Sequence, residues 1–278
     1  MNPALSSAVY PGDATVRKAL TELVRLPIPA RVMNQLDAVV GAESGALRQV
    51  VCVVGNSPAL AANILCTANS TAYGLAQSVD SIPMAISLIG EESVSLLAAN
   101  AQKLPAATEK SWTPLTHFSR HCANICFALA TECRRVTPNV AYCAGLLHAI
   151  GSYAMGATDP EEYQKIEPTL IGEKRLFMEK QVFGMGYNEA GALICEHWNL
   201  PEMFQAALRH SILPDDAGDF RDIAAIVHAA TCLATIEGEM NPAGIAKCED
   251  ILKSLNIEPS RIANILSSDA QGTASANN

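Results

Sequence analysis

Helix start and stop signals recur along the chain, and this pattern restricts the fold to an all-α one. Capping residues such as Asp13 precede stretches whose apolar residues recur three and four positions apart, which indicates amphipathic helices. Ser57 followed by Pro58 is a strong helix start, because a capping hydroxyl precedes a proline at the first helical position. Residues 50–54 could form a short strand, but their position between helix signals favours a helix.

The spacing of these signals predicts two helical lobes. We predict a smaller N-terminal helical bundle over residues 13–105, packed on a larger helical lobe over residues 111–266, with residues 105–110 as a short polar joint. The tail, residues 267–278, is rich in Ser, Ala and Asn and is predicted to be disordered. In the second lobe, helices are predicted near residues 113–135, 140–150, 169–182, 188–197, 201–210, 219–237, 242–255 and 259–266.

Charge and hydropathy exclude several classes of partner. The net charge of -9 repels phosphate backbones, so we predict no nucleic-acid partner. We find no apolar run of the roughly 18 to 20 residues that a membrane span needs, and no secretory signal at the start, so we predict no membrane partner. The nine cysteines contain no Cys-x-x-Cys pair and lie in apolar stretches, which is typical of reduced, buried thiols in the cytoplasm.

Several sequence blocks, taken together and in order, resemble the HDOD family, in which an HD-like helical domain serves bacterial signalling. The first lobe contributes Leu-Pro-Ile-Pro at residues 26–29, Ala-Asn-Ser-Thr-Ala-Tyr-Gly at residues 68–74, and a block over residues 81–90. The second lobe contributes Arg-His at residues 120–121, Leu-His-Ala-Ile-Gly at residues 147–151, and Trp-Asn-Leu-Pro at residues 198–201. The resemblance extends over about residues 16–235 and implies a small helical lobe packed on a lobe like that of HD-superfamily phosphohydrolases.

The same resemblance identifies a degenerate metal site. HD phosphohydrolases bind a cation through an early His, a His-Asp doublet and a later Asp, and the cation activates a water molecule. Here the early His matches His121, the doublet matches His148 and Ala149, and the later Asp matches Thr231. Further family histidines match Asn188 and the pair His210 and Ser211, and Ser152 stands where HD-GYP enzymes have a lysine.

Without the carboxylates, the remaining imidazoles have little attraction for a divalent cation. We therefore predict no metal, no other cofactor and no catalytic residue, although His121, His148 and His210 are residual candidate ligands. The seven matched positions then form a vestigial pocket that could accept a small ligand: His121, His148, Ala149, Asn188, His210, Ser211 and Thr231. In the alternative interpretation, the carboxylates of Glu189, Asp219 and Asp222 substitute for the missing ones.

These observations lead to two hypotheses of different classes. The first is a non-catalytic, cytoplasmic signal-transduction module of the HDOD type, a probable pseudo-hydrolase that acts as a scaffold or sensor by contacting other signalling proteins. The second is a divergent metal-dependent phosphohydrolase that acts on a nucleotide or phosphodiester through a rebuilt metal site.

Overall fold

The computed structural model describes residues 13–40 and 46–263 of the chain. Within these ranges the chain forms sixteen α-helices and short 3₁₀ turns, and its one β-type pairing is the isolated bridge between Ile28 and Lys103. The all-α prediction is therefore confirmed. The helices are α1 Asp13–Glu22, α2 Ala30–Val39, α3 Ala46–Gly55, α4 Pro58–Ala68, α5 Ile82–Ile89, α6 Glu91–Ala99, α7 Ala106–Cys133, α8 Pro138–Leu147, α9 Ile150–Thr158, α10 Pro160–Tyr163, α11 Gly172–Phe183, α12 Tyr187–His197, α13 Glu202–Arg209, α14 Arg221–Leu233, α15 Pro242–Lys247 and α16 Glu249–Ser254.

Helix α4 forms the centre of the smaller lobe. Nearly all of its side chains are buried, and they are small or aliphatic, which allows α3, α5 and α6 to approach it closely. Its start is capped as predicted, since the Ser57 hydroxyl accepts a hydrogen bond from the amide of Leu60 at 3.4 Å. Residues 50–54 lie inside α3, so the helical interpretation of that stretch is confirmed.

The Asn-to-Gly block at the end of α4 is a structural corner. The Asn69 side-chain amide donates to the carbonyl of Val79 at 2.8 Å, and its Oδ1 accepts from the amide of Val79 at 2.8 Å. Gly74 adopts a left-handed conformation with φ of 56°. Tyr73 is 37% exposed. The side-chain clamp of Asn69 therefore explains the corner.

Helices α7, α8 and α14 pack together in the centre of the larger lobe, with α12 and α13 against α9, α8 and α14. The predicted helix over residues 140–150 corresponds to α8, which ends at Leu147, and a break at Ala149, with φ of −102° and ψ of 17°, separates α8 from α9. Helices α9 and α10 were not predicted, and the predicted helix over residues 242–255 divides into α15 and α16.

The first lobe and the larger lobe join without a separate linker. Helix α7 begins at Ala106, so most of the predicted joint at residues 105–110 is its first turn, consistent with the helix propensity of Ala, Glu and Lys there. Helix α1 packs on α9 and α12 of the larger lobe, and Trp198 Nε1 donates to the Leu23 carbonyl at 2.8 Å. The domain boundaries remain a prediction, and the tail over residues 267–278 lies outside the described residues.

One stretch corrects the expectation that no run is long enough for a membrane span. By length and composition alone, Pro138–Thr158 is long and apolar enough to cross a membrane, with a mean hydropathy of 1.2. Two bent pairs pass only if each counts as one span: Leu47–Gly55 with Pro58–Ala68, bent by 116°, and Ile82–Ile89 with Glu91–Ala99, bent by 95°. In the fold, 89% of the Pro138–Thr158 window is buried, so its apolar character is explained by the core around it.

Candidate functional site

The doublet of the HD-like site lies at the bend between α8 and α9. His148 and Ala149 are each only 1% exposed, and the His148 imidazole donates from Nδ1 to the carbonyl of Gly145 at 2.7 Å. The rings of Phe118 and Tyr187 meet the imidazole edge to face, with centroid distances of 5.3 and 6.1 Å. Burial lowers the pKa of His148 to about 4, so this imidazole is neutral near neutral pH.

The early histidine has a different environment on α7. His121 Nδ1 lies 3.1 Å from the backbone amide of Thr235 and 3.2 Å from its carbonyl oxygen, so either tautomer of the neutral imidazole has a hydrogen-bond partner there. Burial also lowers the pKa of His121. His121 is thus tied to the chain just beyond α14, at the opposite end of that helix from its start at Arg221.

The other matched positions bind backbone carbonyls near them in the fold. The Asn188 side-chain amide donates to the Arg209 carbonyl at 3.3 Å, and the Ser211 hydroxyl donates to the Leu208 carbonyl at 2.9 Å. The Thr231 hydroxyl donates to a carbonyl one turn earlier in α14, at 2.8 Å. His210 is the residue that ends α13. Asn188 and Ser211 are at most 8% exposed and contact the end of α13, and the Oδ1 atom of Asn188 has no hydrogen-bond partner among the described residues.

His228, to which the sequence assigned no role, is a connecting residue of this region. Its Nδ1 donates to the Ser211 carbonyl at 2.8 Å, and its Nε2 lies 3.8 Å from the sulfur of Cys232. The contact with Cys232 raises the pKa of His228. A spacing of four residues on one helix was the available sequence signal, since it places both side chains on the same face.

The residues present do not fit a metal ion. Among the described residues, no three His, Cys, Asp or Glu side chains converge in an arrangement that could hold one. The candidate substitute carboxylates lie elsewhere: Glu189 pairs with Lys180 at 3.4 Å, and Asp222 pairs with Arg135 at 3.4 Å. Asp219 is exposed.

A buried ion pair that the sequence did not reveal borders this site. Arg175 and Glu179, one turn apart on α11, are at most 1% exposed, and Arg175 Nε donates to Glu179 Oε1 at 3.1 Å. The Ser152 hydroxyl of α9 donates to the same carboxylate, and the Tyr187 amide at the start of α12 donates to Glu179 Oε2 at 2.7 Å. Arg175 also donates to the Tyr163 hydroxyl.

This network gives Ser152 a structural role. The hydroxyl is buried and bound to Glu179, and the imidazole of His148 has its own hydrogen bond to Gly145. An Arg and a Glu four residues apart usually indicate an exposed pair on a helix, which is why the sequence pattern did not identify this one. The buried hydroxyl of Ser152 and the imidazole of His148 are therefore not paired as a nucleophile and a base.

Comparisons with known proteins concern the family and the fold. The HDOD domain family model matches residues 26–214. The fold is similar to that of the MmoQ response regulator of Methylococcus capsulatus strain Bath, with a TM-score of 0.69, 21% identity, and coverage of 88% of this chain and 99% of that chain.

The fold is also similar to that of a virulence factor from Campylobacter jejuni, with a TM-score of 0.68, 17% identity, and coverage of 87% of this chain and 91% of that chain. At these identities the likeness concerns the fold alone. A comparison with curated protein sequences finds no match. Because the family model matches residues 26–214, more than half of the chain, the protein belongs to the HDOD family.

Proposed function

We propose that the protein is a non-catalytic HDOD-type signal-transduction module that acts as a scaffold or sensor through protein–protein contacts. The observation that carries this proposal is the doublet at the α8–α9 bend. A metal hydrolase needs an anionic ligand and an open coordination position there. Ala149 has no ligating atom, and His148 is 1% exposed with its Nδ1 bound to a backbone carbonyl.

The surface of the first lobe supports a role in protein contacts. Met84 and Leu88 are 49% and 36% exposed and lie one turn apart on one face of α5. Three more exposed, large apolar side chains are close in sequence, namely Tyr73, Leu75 and Leu96. Exposed apolar groups that occur together are typical of interaction surfaces. The proposal includes a cytoplasmic location and other signalling proteins as partners, with neither nucleic acid nor membrane.

An assay for hydrolysis tests the non-catalytic part of the proposal. The purified protein would be incubated with phosphodiester and nucleotide substrates in the presence of Mg²⁺, Mn²⁺ or Zn²⁺, beside a His148→Ala variant whose helical content is checked by circular dichroism. We expect both proteins to give the same background rate. Turnover by the unmodified protein above that of the folded variant would establish the phosphohydrolase alternative instead.

Affinity capture from the native organism tests the partner role. The tagged chain would be compared with a Met84→Glu and Leu88→Glu double variant and with a Leu213→Glu control, because Leu213 is 64% exposed on the larger lobe. We expect signalling proteins to be captured by the unmodified chain and the control, and to be lost from the double variant. Equal capture by all three proteins would exclude the α5 face, and no specific capture would contradict the scaffold role.

A further inference from the structure

A groove separate from the HD-like site lies where the two lobes meet. It has a volume of about 410 Å³ and is bordered by α2 and α3 of the smaller lobe and by α7 of the larger lobe. This volume falls within the range of roughly 300–1,000 Å³ that is typical of small-molecule sites. A ligand in this groove would contact both lobes at once.

The charged groups that line the groove are cationic. Arg31 of α2 and Arg120 of α7 both line the groove, and no lining residue is an Asp or Glu. Arg31 Nε lies 2.9 Å from Glu109 Oε1, and the Arg31 side chain is half exposed. In the part of the chain that the structure describes, no carboxylate lies within ion-pair distance of Arg120, which is exposed. A chain with a net charge of -9 thus presents a local site for an anion.

The uncharged lining suits a ligand that also has a ring system. Val39 and Val53 contribute apolar walls, and Gln35 and Asn56 contribute side-chain amides. Apolar walls with a few placed hydrogen-bonding groups are the usual composition of a cofactor or nucleotide pocket. Arginine adds donors in a planar fork that matches phosphate oxygens.

Arg120 belongs to a sequence block of the family resemblance, but it lines the groove and not the HD-like site. Arg120 and His121 are adjacent in the sequence block, but they leave α7 in different directions. His121 contacts Thr235 beside α14, whereas Arg120 lines the groove together with His117, which precedes it by one turn. The two residues therefore serve different regions of the molecule.

We propose that this groove binds a nucleotide, with Arg120 and Arg31 contacting its phosphates and the valine walls contacting its base. Binding would bridge α2 and α3 to α7, so the two lobes would be held together by the ligand. The assignment deepens the proposed sensor function. It rests on that function only for what binding does to the protein. The binding itself depends on the groove alone.

Isothermal titration calorimetry on the full chain tests this assignment. The probes are the adenosine, guanosine, cytidine and uridine diphosphates, the four matching nucleosides, and inorganic pyrophosphate. We expect at least one diphosphate to bind, and to bind more tightly than pyrophosphate, while the nucleosides do not bind. Affinity should fall as the salt concentration rises. Each diphosphate is titrated to about 1 mM, where a binding free energy as weak as about -4 kcal/mol is still detectable. If none of the four binds, the proposal is overturned.

Matched variants locate the site. Arg120→Ala should weaken binding by about tenfold or more, because it removes charge-assisted hydrogen bonds to phosphate. Arg209→Ala is the control, since Arg209 is an exposed arginine of α13 with only a 4.0 Å ion pair to Glu196. Equal binding by both variants would place the ligand elsewhere and overturn the proposal, as would binding of pyrophosphate as tight as that of any diphosphate.

These outcomes are distinguishable from a failure of the proposed function. Hydrolysis that depends on His148 would contradict the non-catalytic role but would leave the effect of Arg120→Ala on binding intact. Loss of nucleotide binding with intact partner capture would contradict the groove assignment alone.

Discussion

Three imidazoles of the HD-like region contact backbone groups. His148 donates to Gly145, His121 Nδ1 contacts the backbone amide and carbonyl of Thr235, and His228 donates to Ser211. A neutral imidazole can donate from one nitrogen and accept at the other, so it can join two helix ends without a charge. The first two of these pKa values are lowered by burial, which is consistent with that neutral role.

His148 should make the protein less stable as the pH falls. Its pKa is about 4 in the folded state, whereas an unfolded histidine has a pKa of about 6.5, so the unfolded state binds more protons between these values. The free energy of unfolding should therefore decrease by about 2 kcal/mol from this group between roughly pH 7 and pH 5, with no contribution from it above that window.

Urea denaturation at several pH values, on the unmodified chain and on a His148→Asn variant, measures this contribution. His121 titrates with the same sign and His228 with the opposite sign, because its pKa is raised, but both are present in each protein. The difference between the two pH profiles therefore reports His148. Parallel profiles would show that His148 is not buried and neutral in the folded protein.

Restoring the two missing carboxylates should not restore catalysis. Ala149→Asp combined with Thr231→Asp supplies two ligand types, but position 149 is only 1% exposed, so a carboxylate there is desolvated and unpaired. A working site also needs groups that orient the ligands, and here those contacts serve helix ends. We expect a destabilised protein that is partly rescued by Zn²⁺ or Mn²⁺ in a thermal melt, and negligible phosphodiester turnover; turnover well above that of the unmodified chain would contradict this.

At the scale of elements, α9 and α12 approach each other through glycine. A Cβ atom at Gly151 would lie 2.2 Å from the carbonyl oxygen of Tyr187 and 2.5 Å from the amide of Gly191. Both neighbours are backbone, which cannot move aside as a flexible side chain can. The glycine of the Leu-His-Ala-Ile-Gly block is thus required by the close contact of two helices.

Gly151→Ala should destabilise the fold by about 1–3 kcal/mol or more, because the added methyl group overpacks a contact made by backbone atoms. Gly55→Ala is the matched control, since its Cβ would lie 3.5 Å from the Tyr142 hydroxyl, which is an ordinary contact. The control should be neutral or slightly stabilising, because alanine favours a helix. Chemical denaturation measures both variants, and equal stabilities would contradict this account of α9 and α12.

The Arg175–Glu179 pair joins α11 to α9 and α12, and its removal should be strongly non-additive. Arg175→Met leaves a buried carboxylate without its cation and should cost about 3–5 kcal/mol, as should Glu179→Leu. The double variant leaves neither charge and should lose much less than the sum of the two. A double-mutant cycle from urea denaturation measures the coupling, and additive losses would show that the two charges do not interact.

At the scale of the whole molecule, several contacts distant in sequence tie the lobes together. Within the smaller lobe, the Ile28 amide donates to the Gln102 carbonyl at 2.9 Å and the Leu104 amide donates to the Ile28 carbonyl at 3.1 Å, which fixes the chain just before α7 begins. The Tyr142 hydroxyl of α8 donates to the Gly55 carbonyl of α3 at 3.1 Å. Helix α1 of the smaller lobe packs on α9 and α12 of the larger lobe.

The two lobes should therefore unfold together. We expect one transition in differential scanning calorimetry, and limited proteolysis that removes the predicted tail at residues 267–278 before it cuts residues 105–110, because most of that segment is helical. Tyr142→Phe, which removes one contact between the lobes, should lower stability by about 1 kcal/mol without splitting the transition. Two transitions, or two stable fragments from cleavage at residues 105–110, would contradict a single unit.

Patterns that act over a few residues were sufficient for most of the helices. The capping signal at Ser57 and Pro58 and the helical state of residues 50–54 were both predicted from neighbouring residues, because capping involves groups close in sequence. The break at Ala149 was not predicted. It depends on the position of His148, whose side chain binds the Gly145 carbonyl inside a core formed by other helices.

The sequence by itself determined that the chain is helical, that it carries the HDOD blocks, and that Ala149 and Thr231 provide no carboxylate at the matched positions. Only the tertiary structure decided that His148 is closed off from solvent, that Arg175 and Glu179 are a buried pair, and that Arg31 and Arg120 face one groove. The physical reason is range: propensity, capping and ligand chemistry belong to single residues and their neighbours, whereas burial, pairing and the shape of a groove arise from residues that are distant in sequence.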